Sequence, residues 1–546
     1  MAKNTIFGTE ARKSIQVGVN TVVKAVATSY GPAGRTSIIA KDHGSPEISN
    51  DGVTIAKAIE LEGAEQMGVA LIQQAASKTN DVAGDGTSVS TILAGAIVNE
   101  GVKVVEAGSD PVKVRIGLQK ASIVALEYLE KHRIAIDKEA QMAQVATISS
   151  RSEKIGSLIA SAITKVGKNG VVTVQTGDSN EVITEITEGM QFDKGYKSPY
   201  FVTDAQRMES VVEKPMVLVT DQKITSVKDV VNVIEAMAQS GKKDLVIIAD
   251  DIDGEALATF VLNKVRGVFN VYPIQAPSFG DKRKGILEDL AILVGAKLIS
   301  SDLSMQLKDI TIEDLGKADR VVSNKDTTTI VGGKGDKKII DQRCRLLEEA
   351  IDSSNSSYDK EKFAERLAKL SGGVAVIKVG ASTEVEMQEL KFLVEDALNA
   401  TKAAIAEGIV AGGAVTLVRI ANELEKLKLE SDEEQTGVKI FSQALIKPFR
   451  TIASNSGIYD IALLLEKIEK SKTFGYDFRK LEEVADMIKS GIVDPVLVLK
   501  EAIKNSVSVA SSIITTEVVV FADPAKEDSH GGMGGNPMMG GMGGMM

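Results

Sequence analysis

The chain has 546 residues, 43% hydrophobic and 25% charged, an ordinary balance for a soluble globular protein and too long for a single core, so two to four domains are expected. Its net charge of −11, from 64 basic and 75 acidic residues, argues against a general nucleic-acid binder, which needs a basic face. One cysteine, Cys344, excludes an intramolecular disulfide and a cysteine-cluster zinc site, and three histidines (His43, His132 and His530) argue against His-based metal or triad chemistry.

In chain order, residues 9–29, 63–107 and 113–131 carry apolar side chains at helical spacing. Two turns separate the first two stretches. Ser29-Tyr30-Gly31-Pro32-Ala33-Gly34-Arg35 is a glycine turn, and Asn50-Asp51-Gly52-Val53 is a turn presenting Asp51. Ala83-Gly84-Asp85-Gly86-Thr87-Ser88 then opens into a helix marked by Val89, Ile92, Leu93, Ala96 and Ile97. Free N–H groups at a helix start, with the helix dipole, attract anions, and glycines let the backbone approach a phosphate closely. The Lys of a GxxxxGK[ST] loop is missing. Asp85 stands there instead and can meet a phosphate only through a cation such as Mg2+. By itself this segment reads either as a helix cap or as a nucleotide site.

From residue 215 the pattern alternates. Strands are predicted at Pro215–Thr220, Asp244–Ala249, Phe269–Ile274 and Lys297–Ile299, with helices at 226–239, 254–266 and 283–293. The two helices 226–239 and 254–266 are apolar over more than one face, which reads either as deep burial or as an exposed surface for other proteins. Helical periodicity returns at 384–427, 436–470 and 497–513. A contiguous α/β unit is thus expected inside a split, mainly helical one. Gly189, Gly372-Gly373 and Gly408 mark the crossings, as simple turns or as hinges. No 18-residue apolar run and no signal peptide are read, so a cytoplasmic location is expected and no membrane partner. Residues 531–546 are Gly and Met with one Asn and one Pro, a composition that cannot bury a core.

Several blocks go beyond periodicity: Val394-Glu395-Asp396-Ala397-Leu398-Asn399-Ala400-Thr401, Glu407-Gly408-Ile409-Val410-Ala411-Gly412-Gly413, Gly189-Met190-Gln191-Phe192 with Gly195-Tyr196, Phe279-Gly280-Asp281-Lys282-Arg283-Lys284, and Lys325-Asp326-Thr327-Thr328-Thr329. With the turns above, in this order, the chain resembles the group I (GroEL-type) chaperonins from about residue 3 to the Gly/Met tail. The resemblance implies a multidomain α and α/β fold. A split, mainly helical equatorial ATPase domain (1–132 and 408–524) and a small intermediate domain (133–188 and 374–407) would carry an inserted α/β apical domain (189–373), and 525–546 would be a disordered tail contacting the trapped protein. It implies an ATPase using ATP, Mg2+ and K+. Asp85 would hold the metal, and Asp51 and Asp396 would position the attacking water. Tyr30, Gly31, Pro32, Gly86, Thr87, Ser88, Gly413 and Asp494 would bind nucleotide. Tyr196, Tyr200, Phe201, Val231, Ile234, Leu257, Val261 and Leu262 would grip non-native client proteins and a small co-chaperonin lid of the 10 kDa type, with hinges at Gly189, Gly373 and Gly408. The assembly implied is 14 subunits in two heptameric rings, with Lys3–Phe7 and Thr516–Phe521 pairing between neighbours as strands.

The chain departs from the family pattern at Ala33 (usually Lys), Ser88-Val89 (usually Thr-Thr), Leu393 (usually Arg), Ala414 (usually Gly) and Phe478 (usually Ala), and one extra residue precedes Gly491. No catalytic carboxylate is lost. The departures put nucleotide affinity and turnover in question, and they keep open a divergent paralogue that binds unfolded protein with little ATPase activity. Val89 either takes a phosphate-facing hydroxyl away or lies on the core side of its helix. A group II chaperonin with a built-in lid would need an extra helical insertion that is not seen. A metabolic α/β enzyme would need a GxGxxG turn, whereas Asp250-Asp251-Ile252-Asp253-Gly254 follows the strand Asp244–Ala249.

Overall fold

The computed structural model describes residues 3–522 apart from 41–45, 168–169, 178, 206, 268 and 355. The Gly/Met tail, His43 and His530 therefore lie outside the described residues. The structure divides into two units: one runs to Ser157 and resumes at Ser382, and the other is Leu158–Ala381.

The first unit is mainly helical, as its periodicity requires. Helix Gly8–Ala27 buries Ile15, Val19, Val22 and Val26, spaced three and four apart, on one face. Helices Glu65–Ala83, Thr87–Glu106, Pro111–His132, Asp432–Asn455 and Val496–Ile514 join it around one core that includes Ile72, Leu93, Leu118, Phe441, Phe449 and Ile503. Thr87–Glu106 is long and apolar enough to cross a membrane by length and composition, contrary to the reading that no such run exists. Its place explains its composition: it packs against Gly8–Ala27, Glu65–Ala83, Asp432–Asn455 and Val496–Ile514, and so is apolar nearly all round. Two long predicted helices are broken. The stretch 384–427 is interrupted by strand Ile409–Ala411 after Gly408 (φ +84°), and 436–470 stops at Asn455 before Gly457 (φ +79°) and restarts at Ala462.

Both chain ends belong to this unit. Strand Lys3–Phe7 pairs antiparallel with Val518–Ala522, Lys3 opposite Ala522 and Phe7 opposite Val518. Arg12 Nη1 adds a 2.7 Å ion pair to Glu517 Oε2. Within the chain these two strands form a two-stranded sheet with each other.

The second unit is the predicted α/β region. Its seven-stranded sheet runs Asn270–Gln275, Asp244–Ala249, Met216–Val219, Gly316–Ser323, Thr328–Gly333 and Gly189–Phe192, with Ser210–Glu213 also paired to Gly316–Ser323. The first three strands are parallel and the rest antiparallel. Leu245–Ala249 are all buried, as a central strand covered on both faces demands. The predicted helix 254–266 is observed as Gly254–Arg266, whereas 226–239 splits into a 3-10 turn, Val227–Asp229, and a helix, Val231–Gln239. Lys297–Ile299 is not a strand, since only Ile299 bridges, to Thr220. A smaller sheet places Val374–Val379 between Val171–Thr176 and Ile183–Thr187.

Candidate functional site

In the first unit the turn 83–88 is built as a tight reversal between two helices. Gly84 (φ +65°) ends Glu65–Ala83 and Gly86 (φ +83°) precedes Thr87–Glu106, both in the left-handed region. A Cβ at Gly84 would overlap the Asn399 side chain, and one at Gly86 would overlap Val498, so both positions are closed to larger residues. Asp85 is held between them. Its Oδ1 accepts from the Gly86 N–H at 2.6 Å and its Oδ2 from the Ser149 hydroxyl at 3.3 Å. The Thr87, Ser88 and Val89 N–H groups open the helix without intrahelical acceptors. The Thr87 and Ser88 hydroxyls lie against Gly52, where a Cβ would fall 2.7 and 2.5 Å from them.

That contact brings in the second turn. Asp51 caps the short helix Gly52–Lys57: Oδ1 accepts from Val53 N at 3.3 Å, and Oδ2 from Thr54 N at 2.9 Å and Thr54 Oγ1 at 2.7 Å. A carboxylate has about four acceptor sites, so capping leaves room for one more donor such as water. The third turn is pinned from below. Asn455 Nδ2 donates 2.8 Å bonds to the Ala27 and Tyr30 carbonyls, and Gly34 N closes on the Gly31 carbonyl at 3.0 Å.

The fourth contribution is Asp494. Strand Val493–Pro495 pairs with Ile409–Ala411, setting Asp494 opposite Val410 and beside the turn Gly412-Gly413-Ala414. Gly413 (φ +62°) and Ala414 (φ +60°) are both left-handed, and the Ala414 N–H donates to the Asp494 carboxylate. Burial, then the Asp85 charge, pushes the Asp494 carboxyl up to about 7. Burial also raises Asp85, outweighing its hydrogen bonds, with Asp51 adding repulsion. Tyr30 rises well above its ordinary value, first through burial and then through Asp494 and Asp85. Tyr30, Asp51, Asp85 and Asp494 thus share one mouth, with the Gly31 and Gly86 turns at its edge.

Asp396 lies half-buried on helix Glu384–Glu407, which packs against the strand Glu47–Ser49 leading into Asp51. Asn399, one turn further along, meets Gly84. Among the described residues, no group of three or more His, Cys, Asp or Glu is placed to hold a metal by itself. The donors at the mouth are hard carboxylate oxygens, which suit Mg2+, an ion that keeps most of its ligands as water and phosphate oxygens.

Two departures lie off the mouth. Val89 is 7% exposed and belongs to the helical core, which settles its two readings in favour of the core side. Phe478 is also buried, its ring 5.3 Å from Phe449 and 5.0 Å from Tyr476. The motifs did not single out Ser149, Arg151 and Asn455. Ser149 and Arg151 end helix Glu139–Ser150, an Ala-, Gln- and Ser-rich segment with too weak an apolar stripe to be read.

In the second unit the candidate client face is partly as expected. Tyr200 is 70% and Leu262 47% exposed; Tyr196, Val231, Ile234, Leu257 and Val261 are half-buried. Phe201 is a correction. It is wholly buried in the sheet core, because successive side chains of the 3-10 turn Pro199–Phe201 are rotated by about a third of a turn, and Tyr200 takes the outward position. Val265, 72% exposed and one turn beyond Val261 and Leu262, was missed, although its helical spacing from them was visible. The turn Pro199–Phe201 packs on helix Gly254–Arg266, so Tyr200 adjoins that face. Of the expected hinges, Gly189 lies within a strand, where a Cβ would press on Ile330 and Val374, while Gly373 (φ +63°) and Gly408 (φ +84°) hold left-handed turns.

Residues 22–524 match the TCP-1/cpn60 chaperonin family. The chain belongs to that family. Chaperonins act on client proteins, form ring oligomers and are generally ATPases that bind ATP with Mg2+. A chaperone role in protein folding follows for this chaperonin, and its two units supply the helical and α/β parts of the fold.

Proposed function

We propose that this chaperonin is an ATP-dependent, group I folding machine. The observation that carries the reading is the convergence of Tyr30, Asp51, Asp85 and Asp494 on the N-terminus of helix Thr87–Glu106. Nucleotide phosphates would sit beside Gly86 on the open N–H groups of Thr87 and Ser88 and on the Gly31 turn, with Pro32 shaping the latter and Gly413 and Asp494 on the nucleoside side. Asp85 would hold Mg2+, which supplies positive charge against phosphate oxygens. Asp51 keeps an acceptor site for water, and Asp396 on the neighbouring helix would complete its orientation. Burial of Val89 and Phe478 removes two of the grounds for reading the chain as a divergent paralogue with little turnover.

The same reading extends to the rest of the chain. Boundaries at 132, 188, 373 and 407 would separate equatorial, intermediate and apical domains, and the Gly/Met composition of 531–546 supports group I over group II. Non-native proteins, and a small 10 kDa-type lid, would meet Tyr200, Val261 and Leu262. Two seven-membered rings in the cytoplasm, with K+ as a further cofactor, complete the proposal.

Steady-state hydrolysis with MgATP tests it. Asp396→Ala is expected to lower turnover by about 10²–10⁴ while ATP still binds, since a positioning carboxylate does not hold the phosphates. Asp85→Ala is expected to weaken Mg2+-dependent binding as well. Wild-type protein that binds unfolded clients but turns over no ATP would favour the paralogue, and near-normal turnover in Asp396→Ala would remove that residue from the site.

A further inference from the structure

A further side chain, that of Arg151, reaches the mouth. Arg151 is the residue that follows helix Glu139–Ser150, and the preceding Ser149 is already bonded to Asp85. The end of this helix is therefore fastened to the glycine turn. Arg151 adopts φ +54° and ψ +16°, a left-handed conformation that Gly or Asn takes more cheaply than a long side chain does. A bulky residue kept in such a conformation is a pointer to function when its side chain reaches a site. Here it does. The half-buried guanidinium crosses to the glycine turn 29–35 and donates Nη2 to the Ser29 carbonyl at 3.5 Å, the outer limit of a hydrogen bond and its single such bond among the described residues. Four of its five N–H donors are uncommitted to hydrogen bonds there. Asp85 and Glu389 flank it, so it brings positive charge into a mouth otherwise crowded with carboxylates. A planar, permanently charged fork held between two phosphate-binding turns matches the geometry of a phosphate group better than that of a lone carboxylate.

We infer that Arg151 binds the terminal phosphate of a nucleoside triphosphate seated on the Gly84–Ser88 turn, and so distinguishes triphosphate from diphosphate. The inference rests on the nucleotide reading above. It differs from a structural role, in which Arg151 would only tie the helix end to Ser29 and offset Asp85.

Titration calorimetry on the full-length protein separates the two. Affinities for MgATP and MgADP are measured for wild type, Arg151→Gly and Arg151→Lys, with thermal melting as a control. Glycine suits the left-handed backbone, so Arg151→Gly is expected to melt no lower than wild type. It is expected to bind MgATP about 10- to 100-fold more weakly and MgADP within about threefold of wild type, and Arg151→Lys falls between because it keeps a charge without the fork. Arg151→Gly binding MgATP within about threefold of wild type, or losing MgATP and MgADP equally, overturns the inference. Wild-type protein that binds no MgATP overturns the nucleotide reading itself, and this one with it; wild-type binding beside an indifferent Arg151→Gly overturns this one alone.

Discussion

The two units put functional side chains on the surface by opposite means. In the helical unit the candidate site is a set of turns drawn from residues 29–34, 51, 85–88, 149–151, 413–414 and 494, and its charges are sunk among neighbours that raise Asp85 and Asp494. In the α/β unit the candidate face is drawn from two helices, Val231–Gln239 and Gly254–Arg266, and the turn beside the second, with apolar side chains left half in water. The first arrangement spends stability to hold charge out of water; the second leaves apolar area uncovered. Substitutions should therefore act in opposite senses in the two places: truncating the inner residue of the face unfolds, truncating its outer residue silences, and removing a charge from the mouth stabilises.

The largest effect is expected where the face meets its core. Phe201→Ala should cost about 3–5 kcal/mol by leaving a cavity in the sheet core, read as a fall in the thermal or denaturant midpoint. Its exposed neighbour gives the contrast. Leu262→Ser should leave the midpoint within about 0.5 kcal/mol of wild type yet weaken capture of an unfolded client, since one apolar anchor is worth about 1.5–3 kcal/mol when covered. Equal loss of stability in both variants would erase the distinction between inner and outer positions.

Val89→Thr comes next. It sets a hydroxyl into the helical core and should cost about 1–3 kcal/mol with no gain in ATP affinity or turnover; a clear gain in either would return Val89 to the phosphate side.

Asp494 tests the mouth. Its folded pKa of about 7 lies above the ordinary 3.8, so between these values the folded state binds more protons than the unfolded state, and stability falls as pH rises through that window. Asp494→Asn should therefore raise the midpoint at pH 8 by about 1–2 kcal/mol, a figure discounted because the side chain is partly open to water, and the gain should vanish toward pH 4. A pH-independent gain would assign the effect to packing instead of charge. The smallest change is expected at Ala414, whose left-handed backbone penalises a Cβ. Ala414→Gly should stabilise by about 0.5–1 kcal/mol after the extra entropy of glycine is subtracted, measured as the denaturant midpoint at constant slope.

Much of this was legible beforehand, for identifiable reasons. Gly84, Asp85 and Gly86 could be read because a three-residue reversal between helices admits few residue types, and helix 254–266 because its apolar stripe is regular. Phe201 is buried beside an exposed Tyr200 because one step along a 3-10 turn swings the side chain through about a third of a turn, and composition does not record that. Lys297–Ile299 resembled a strand because short apolar runs do, whether or not an edge is there to accept them. Strand character in Lys3–Phe7 likewise says that it will pair, not that Val518–Ala522 is its partner within the chain. Arg151 carried no signal of its own, since a lone Arg after a weakly patterned helix becomes informative only when its backbone angle and its neighbours are known.

The pairing of Lys3–Phe7 with Val518–Ala522 also has a consequence for how the molecule comes into being. The longest-range contact in the fold joins the first described strand to the last, and Asp494 reaches the mouth only through the segment just before it. A chain emerging from its ribosome has residues 158–381 in hand, and with them every strand of the α/β sheet, well before it has made the second half of the helical core. Closing a loop of that length is slow and is rewarded late. Nascent chaperonin would therefore display the candidate apolar face before it owns a complete candidate nucleotide site, so that a newly made subunit would pass through a stage in which it resembles an unfolded protein.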